Sequence, residues 1–164
     1  MRGYSGQREI MTFTGRYAFL SNFYPCVVKV CFDGGMVEHY PHVEAAYQAV
    51  KSNDRQIRKT YQRIDVTGSE CKKYAKAAKL LRRPDSLDVM ECLLESKFSY
   101  PPLSRSLMNV TVPIVEGNWW GDIFWGVDED TGEGENNLGK ILSRIRDHLV
   151  LGNGICPVAH ISRR

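Results

Sequence analysis

The sequence predicts a mainly helical single domain with one small β-hairpin and short strands. Apolar residues recur at helical spacing over residues 43–50, 85–98 and 138–149. Residues 27–32 alternate and are rich in β-branched side chains, and Asp33-Gly34-Gly35 and residues 36–40 follow them, the pattern of a hairpin. A length of 164 residues suits one domain and is enough to bury a core.

Taken in order, residues 13–23, FTGRYAFLSNF, set aromatics around Gly15 and end in Ser21-Asn22. That pair favours turns by bonding nearby backbone. The amide of Asn22 also suits a ligand, but a turn is the commoner use. In the hairpin, Lys29 points opposite to Val28 and Val30, as on a half-exposed strand. After Pro41 a helix begins at His42 or Val43, with Val43, Ala46, Tyr47 and Val50 as its buried stripe. Glu44, Gln48 and Lys51 fall at i, i+4 and i+7 and line one edge of that helix. Glu44 also sits in the first turn, where the helix dipole favours a carboxylate. Such a row is more often a solvated face than a site.

Residues 54–63 and 69–81 read as basic amphipathic helices, separated by Thr67-Gly68-Ser69 as turn and cap. Glu70 stands too early to complete a capping box on this reading. Lysines and arginines recur from Arg55 to Arg83; the default is a hydrated surface, and the alternative is a seat for substrate phosphates. Asp85 is placed to cap a helix running to Lys97-Phe98, with Leu87, Met90, Leu94 and Phe98 inward. Pro101-Pro102 breaks the chain, residues 103–108 form a short helix and residues 110–115 are extended. The last helix covers 138–149 with Ile141, Leu142, Ile145 and Leu149 inward, and residues 152–164 carry no strong signal.

Composition excludes several classes of protein. Apolar content is 43% and charged content 25%, ordinary values for a globular chain. The net charge of +3 is too mild to argue nucleic-acid binding by itself. No apolar run reaches the roughly 18 residues of a membrane span, and the first residues lack the apolar core of a signal peptide, so a cytoplasmic protein without membrane contact is expected. Five cysteines without a CxxC pair read as free thiols. The four scattered histidines make no HxH or HExxH pattern, so no metal and no cofactor are expected. Neither a phosphate-cradling P-loop nor a GxSxG elbow is present.

Residues 115–139, VEGNWWGDIFWGVDEDTGEGENNLG, hold all three tryptophans, six glycines and seven carboxylates. Indole faces stack on bases, carboxylates accept protons, and glycine allows close backbone approach. A loop-borne site is one reading; core tryptophans beside a solvated acidic turn are the other.

Taken together, FxGxYxFLSNFYP, VEAAYQAxK, Lys97-Phe98 and VEGNWWGDxFWG…GENxLGKIL resemble the YbiA-like, or NADAR, family in order and spacing from about residue 13 to 149. The resemblance implies a mainly helical single domain that hydrolyses N-glycosidic bonds. Two substrate classes are associated with the family: ribosylamino-pyrimidine phosphates of early riboflavin synthesis, and ADP-ribose on guanine bases of nucleic acid. The first is narrowly preferred here, because no extended basic groove can be argued from sequence. Partners are then a small nucleotide-like substrate or ADP-ribosylated nucleic acid.

By position, Glu44 and Lys51 match the acidic and basic residues of the helix motif. Ser21-Asn22-Phe23, Trp120-Gly121-Asp122 and Asn136, Leu138 and Gly139 match S-N-F, W-G-D and N-x-L-G. Glu44, Asp122 and Lys51 are thus the expected catalytic set. Glu44 serves as charge stabiliser or base, Asp122 shares acid–base or ribose-binding work, and Lys51 either binds phosphate or attacks an opened C1. Asn22, Phe23, Tyr47, Gln48, Asn118, Trp119, Trp120, Gly121 and Asn136 are the expected substrate contacts, and Trp125 a core support. Two positions depart from the pattern: Ala45 where many relatives carry His, and Ser86 where Trp is frequent. The competing class is a non-catalytic ADP-ribose or nucleotide-binding module, and a third reading makes the tryptophan loop a protein docking surface.

Overall fold

A computed structural model describes residues 12–163. A 3-10 helix (Gly15–Leu20) is followed by β1 (Val28–Phe32), β2 (Val37–Tyr40), α1 (Val43–Ala49), α2 (Arg55–Thr60), α3 (Gly68–Ala77) and α4 (Ser86–Phe98). Then come α5 (Pro101–Met108), β3 (Gly117–Asn118), β4 (Val127–Asp128), α6 (Asn137–Val150) and β5 (Ala159–Ile161). Helix outweighs strand by 42% to 11%, so the chain is helix-rich with two small sheets. No helix among the described residues is long and apolar enough to cross a membrane. The described residues divide into two compact units, 22–103 with 154–163 and 12–21 with 104–153.

In the first, the hairpin unit, β1 and β2 pair antiparallel, with Val28 opposite Tyr40 and Cys31 opposite Val37. Asp33 and Gly34 both take positive φ, and the Gly35 amide donates to the Phe32 carbonyl, closing a tight turn at the tip of the hairpin. Residues 152–164 gave no strong signal, yet they contribute β5, which pairs parallel to β1. A three-residue strand is too short to show a period, which is why pattern reading misses it. The sheet order is β2-β1-β5, and α4 packs on β1 and β5.

Every residue of α1 is buried, and the helix packs on α3 and α4. Ala45, Ala46 and Ala49 have no exposed surface, so neighbours pack closely on the helix, and its polar residues are buried with its apolar ones. His42 caps it: Nδ1 accepts from the Ala45 amide at 3.0 Å, while Nε2 lies 2.9 Å from the Val66 carbonyl. The imidazole therefore carries its proton on Nε2.

Several local expectations are corrected. Thr67, not Ser69, caps α3; with that start Glu70 is the third helical residue and its carboxylate completes the capping box. Asp85 makes no capping bond, because Arg83 holds both of its oxygens at 2.9 Å. Leu87 is exposed, and the inward face of α4 is Val89, Met90, Leu93, Leu94 and Phe98. Pro101 and Pro102 open α5, where a missing amide costs nothing. Arg58, on a helix read as hydrated, is buried against Glu38 in a two-pronged ion pair at 2.9 and 3.0 Å. Ser86 is buried, so the departure at that position is one of packing.

In the second, the loop unit, β3 and β4 pair parallel over two residues each. Residues 110–115 form no strand beyond a single bridge at Ile114. Arg146 instead donates to the carbonyls of Val110 and Val112. The core-facing side of α6 is Leu138, Ile141, Leu142 and Ile145, and Leu149 is half-buried.

Candidate active site

The row Glu44, Gln48, Lys51 is not a solvated face. Glu44 and Gln48 are each only 6% exposed, and the three side chains form a hydrogen-bonded chain along the edge of α1. Gln48 Nε2 donates to Glu44 Oε1 at 2.7 Å, and Lys51 Nζ donates to Gln48 Oε1 at 2.7 Å. Among the described residues no hydrogen bond reaches Glu44 Oε2. One carboxylate oxygen is anchored and the other is left for chemistry. Gln48, expected to touch substrate, spends both ends of its amide inside the row. Tyr47 is 5% exposed and supports Lys51, whose Nζ lies 4.6 Å from the ring centre.

The surroundings of Lys51 shift its amine. Burial holds its amine below the ordinary lysine range, the charges of Arg82 and Lys72 push the same way, and the Glu44 carboxylate partly offsets them. Two other buried groups lie behind Glu44. The Tyr61 hydroxyl and the Cys71 thiol are each pushed up to about 12, mainly by burial, with Glu44 contributing to both.

Asn22 braces the row through its backbone, its carbonyl accepting from the Glu44 amide at 2.9 Å. Its side chain turns inward, with Nδ2 3.6 Å from Met90 Sδ and Oδ1 buried without a partner among the described residues. The next residue, Phe23, is 45% exposed, and its ring lies on Gly68 so closely that a side chain there would overlap it. Lys72 Nζ sits 5.2 Å from the centre of the same ring.

In the loop unit the polar residues hold the loop together. Asn118 has no exposed surface; Nδ2 donates to the carbonyls of Asp122 and Val127, and Oδ1 accepts from the Asp122 amide. Asn136, at φ 51°, accepts from the Glu116 amide and donates to the Ile114 carbonyl. Both asparagines thus clamp the loop backbone, Asn118 with its amide fully buried and Asn136 half-buried. An asparagine suits either job, and sequence alone does not tell a backbone clamp from a ligand clamp. Gly139 lies where a Cβ would strike the Ile114 carbonyl and the Asn136 side chain, so the N-x-L-G pattern is one packed joint. Asp122 Oδ1 accepts from the Phe124 and Trp125 amides at 3.2 and 2.9 Å, which commits that oxygen to the loop.

What the loop presents outward is aromatic. Trp119 and Trp120 are 74% and 54% exposed and meet edge to face at 5.1 Å, with Gly121 exposed beside them. Trp125 is half-buried against Phe124 at 4.9 Å, a packing role. The acidic run Glu129-Asp130 is a solvated turn, fastened by Asp128 Oδ1, whose bonds from Thr131 and Asp130 lower its pKa. All five cysteines are free. Among the described residues no cluster of three or more His, Cys, Asp or Glu is placed to hold a metal ion.

The chain is 31% identical to the N-glycosidase YbiA of Shigella boydii, over 82% of this chain and 83% of that protein. It is 30% identical to a riboflavin biosynthesis protein of Vibrio vulnificus over 81% of this chain, although it spans only 36% of that longer protein. The fold matches the NMR structure of E. coli YbiA with a TM-score of 0.70 at 24% identity, covering 88% of this chain and 85% of that one. Residues 11–150 match the model of the NADAR domain, and with that match over most of its length the chain belongs to the NADAR family.

Proposed function

We propose that this protein is an N-glycosidase that cleaves ribosylamino-pyrimidine phosphates, with Glu44 and Lys51 as its reacting groups. The observation that carries this reading is the Glu44–Gln48–Lys51 chain, in which a buried, anchored carboxylate and a half-buried lysine of lowered pKa share one helix edge. The names of the two relatives, a glycosidase and a riboflavin biosynthesis protein, support it.

The chemistry runs as an imine exchange. A ribosylamine opens to its imine, and the neutral Lys51 amine adds to C1. The C1–N bond to the pyrimidine then breaks, and the proton that Lys51 brought goes to the leaving nitrogen by way of Glu44. Water hydrolyses the lysine imine, releasing the open-chain sugar phosphate and restoring the amine. Gln48 holds the two groups in register, and Asp122 is assigned to holding its loop rather than to proton transfer.

The test is turnover without added metal on two substrates in parallel, a ribosylamino-pyrimidine 5′-phosphate and a guanine-ADP-ribosylated oligonucleotide. Release of pyrimidine, reduced on the order of 10²–10⁴-fold in a folded Glu44→Gln variant, is the expected result. Borohydride should trap the sugar on Lys51, and Lys51→Arg should be inactive. Cleavage of the oligonucleotide alone would transfer the assignment to ADP-ribosyl hydrolysis. Full activity in Lys51→Arg would replace the imine route with direct hydrolysis assisted by Glu44.

A further inference from the structure

The first turn of α1 is held from outside the helix. A helix of seven residues does not stand by itself, since forming its first turn costs more than so few hydrogen bonds return. Glu44 is the second residue of that turn. Its amide donates to the Asn22 carbonyl at 2.9 Å, and the next amide, that of Ala45, donates to His42 Nδ1 at 3.0 Å. The His42 carbonyl accepts from the Ala46 amide at 3.2 Å. The other nitrogen of the same ring, Nε2, donates to the Val66 carbonyl at 2.9 Å, and Val66 leads directly into Thr67, the cap of α3. His42 is buried, so water does not compete for either bond.

Histidine is an unusual choice for a cap. Asn, Asp, Ser and Thr are the preferred residues, and each serves a helix with one short acceptor. A short acceptor ends at the helix it caps. An imidazole carries nitrogens on two sides of a rigid ring, so in its neutral form it accepts on one and donates on the other. Here the acceptor side starts α1, and the donor side fastens that start to the segment entering α3, a helix on which α1 packs. We propose that His42 is a positioning residue for the reaction, fixing the first turn of α1 so that the Glu44 carboxylate meets Gln48 and keeps its second oxygen in one place. The proposal rests on the N-glycosidase reading for the role of Glu44. The Glu44–Gln48 bond of 2.7 Å spans one helical turn and survives only while that turn is formed. Without the ring the turn frays from its open end, Glu44 leaves Gln48, and the reacting groups lose their register. Displacements of about 1 Å in such a constellation cost on the order of 10²-fold in rate.

The experiment compares wild type with His42→Ala, which loses both ring bonds, and with His42→Asn, which keeps a cap acceptor but is too short to reach Val66. Leu142→Ala, in the core of the loop unit, serves as a variant of lowered stability away from the row. All four proteins are assayed on the ribosylamino-pyrimidine 5′-phosphate at a temperature where circular dichroism shows each of them folded. In His42→Ala, kcat is expected to fall about 10²-fold with KM within about twofold. His42→Asn should recover part of that loss, and Leu142→Ala should keep the wild-type kcat. A second readout needs no turnover: the pH dependence of Lys51 labelling by an amine reagent, followed by mass spectrometry. The Glu44 charge raises the Lys51 pKa, so a Glu44 that has left the row moves the labelling midpoint to lower pH in His42→Ala and not in Leu142→Ala. Wild-type kcat or an unmoved midpoint in folded His42→Ala, or an equal loss of kcat in Leu142→Ala, would overturn the proposal. Wild-type kcat in His42→Asn would overturn the tie to Val66. A midpoint that moves in a protein that cleaves neither test substrate would sink the glycosidase reading and leave the positioning of Glu44 standing.

Discussion

At the scale of single residues, Lys51 shows how position becomes chemistry. A lysine in water is almost wholly protonated at neutral pH and cannot attack carbon. Burial beside Tyr47, with Arg82 and Lys72 adding to it, moves the balance toward the neutral amine. Only the neutral form reacts, so kcat is expected to rise with pH through the Lys51 pKa and to level off above it. That rise should fall below pH 10.5, and in Lys72→Gln and Arg82→Gln it should move to higher pH; a pH–rate profile that ignores both substitutions would refute the coupling. The spacing of Glu44, Gln48 and Lys51 was plain in the sequence, since it is a property of helix geometry. Their burial was not, because α3 and the segment around Arg83 supply it from 20 to 40 residues downstream. The clamping by Asn118 and Asn136 was hidden for a related reason: their partners are backbone atoms, which have no signature in side-chain pattern.

Among the elements, legibility followed local chemistry. The hairpin was readable because Asp33-Gly34 suits a turn of positive φ, and α1 because its apolar stripe is periodic. The start of α3 was misplaced by one residue and its cap left open within Thr67-Gly68-Ser69, since Thr and Ser both cap well and only the Glu70 bond decides between them. The joint between Asn136, residues 114–116 and α6 is the loop unit's clearest energetic feature. Asn136→Ala removes two hydrogen bonds, strands the Ile114 carbonyl and the Glu116 amide, and leaves alanine at a positive φ. A loss of about 2–4 kcal/mol is expected by urea denaturation, from one or two unsatisfied backbone groups and the φ strain. Asn136→Gly should recover the φ part only. A change under about 0.5 kcal/mol, the size of an ordinary surface substitution, would mean the joint is unimportant.

For the molecule as a whole, the buried pair of Glu38 and Arg58 ties β2 to α2. Burial raises the Glu38 carboxyl, but hydrogen bonds from Arg58 and Tyr40 and the guanidinium charge outweigh it, and its pKa lies below the ordinary value. A carboxyl depressed in the folded state adds stability that is fully present above the unfolded pKa, near 4.3, and is lost as pH falls through the folded value. Acid unfolding of wild type should therefore show a limb below about pH 4.3 that is missing in Glu38→Gln. At neutral pH that variant should be about 3–5 kcal/mol less stable, since it leaves Arg58 buried without its counter-charge. Equal stability of the two proteins at pH 7 would exclude this account. The parallel pairing of β1 with β5 has a further consequence. Val30 and Ala159 stand far apart in the chain, so the third strand arrives only after the intervening segments have been synthesised and folded back. Until then the outer edge of β1 is an open row of amides and carbonyls, and a chain stopped at residue 153 keeps it open permanently, a template for self-association.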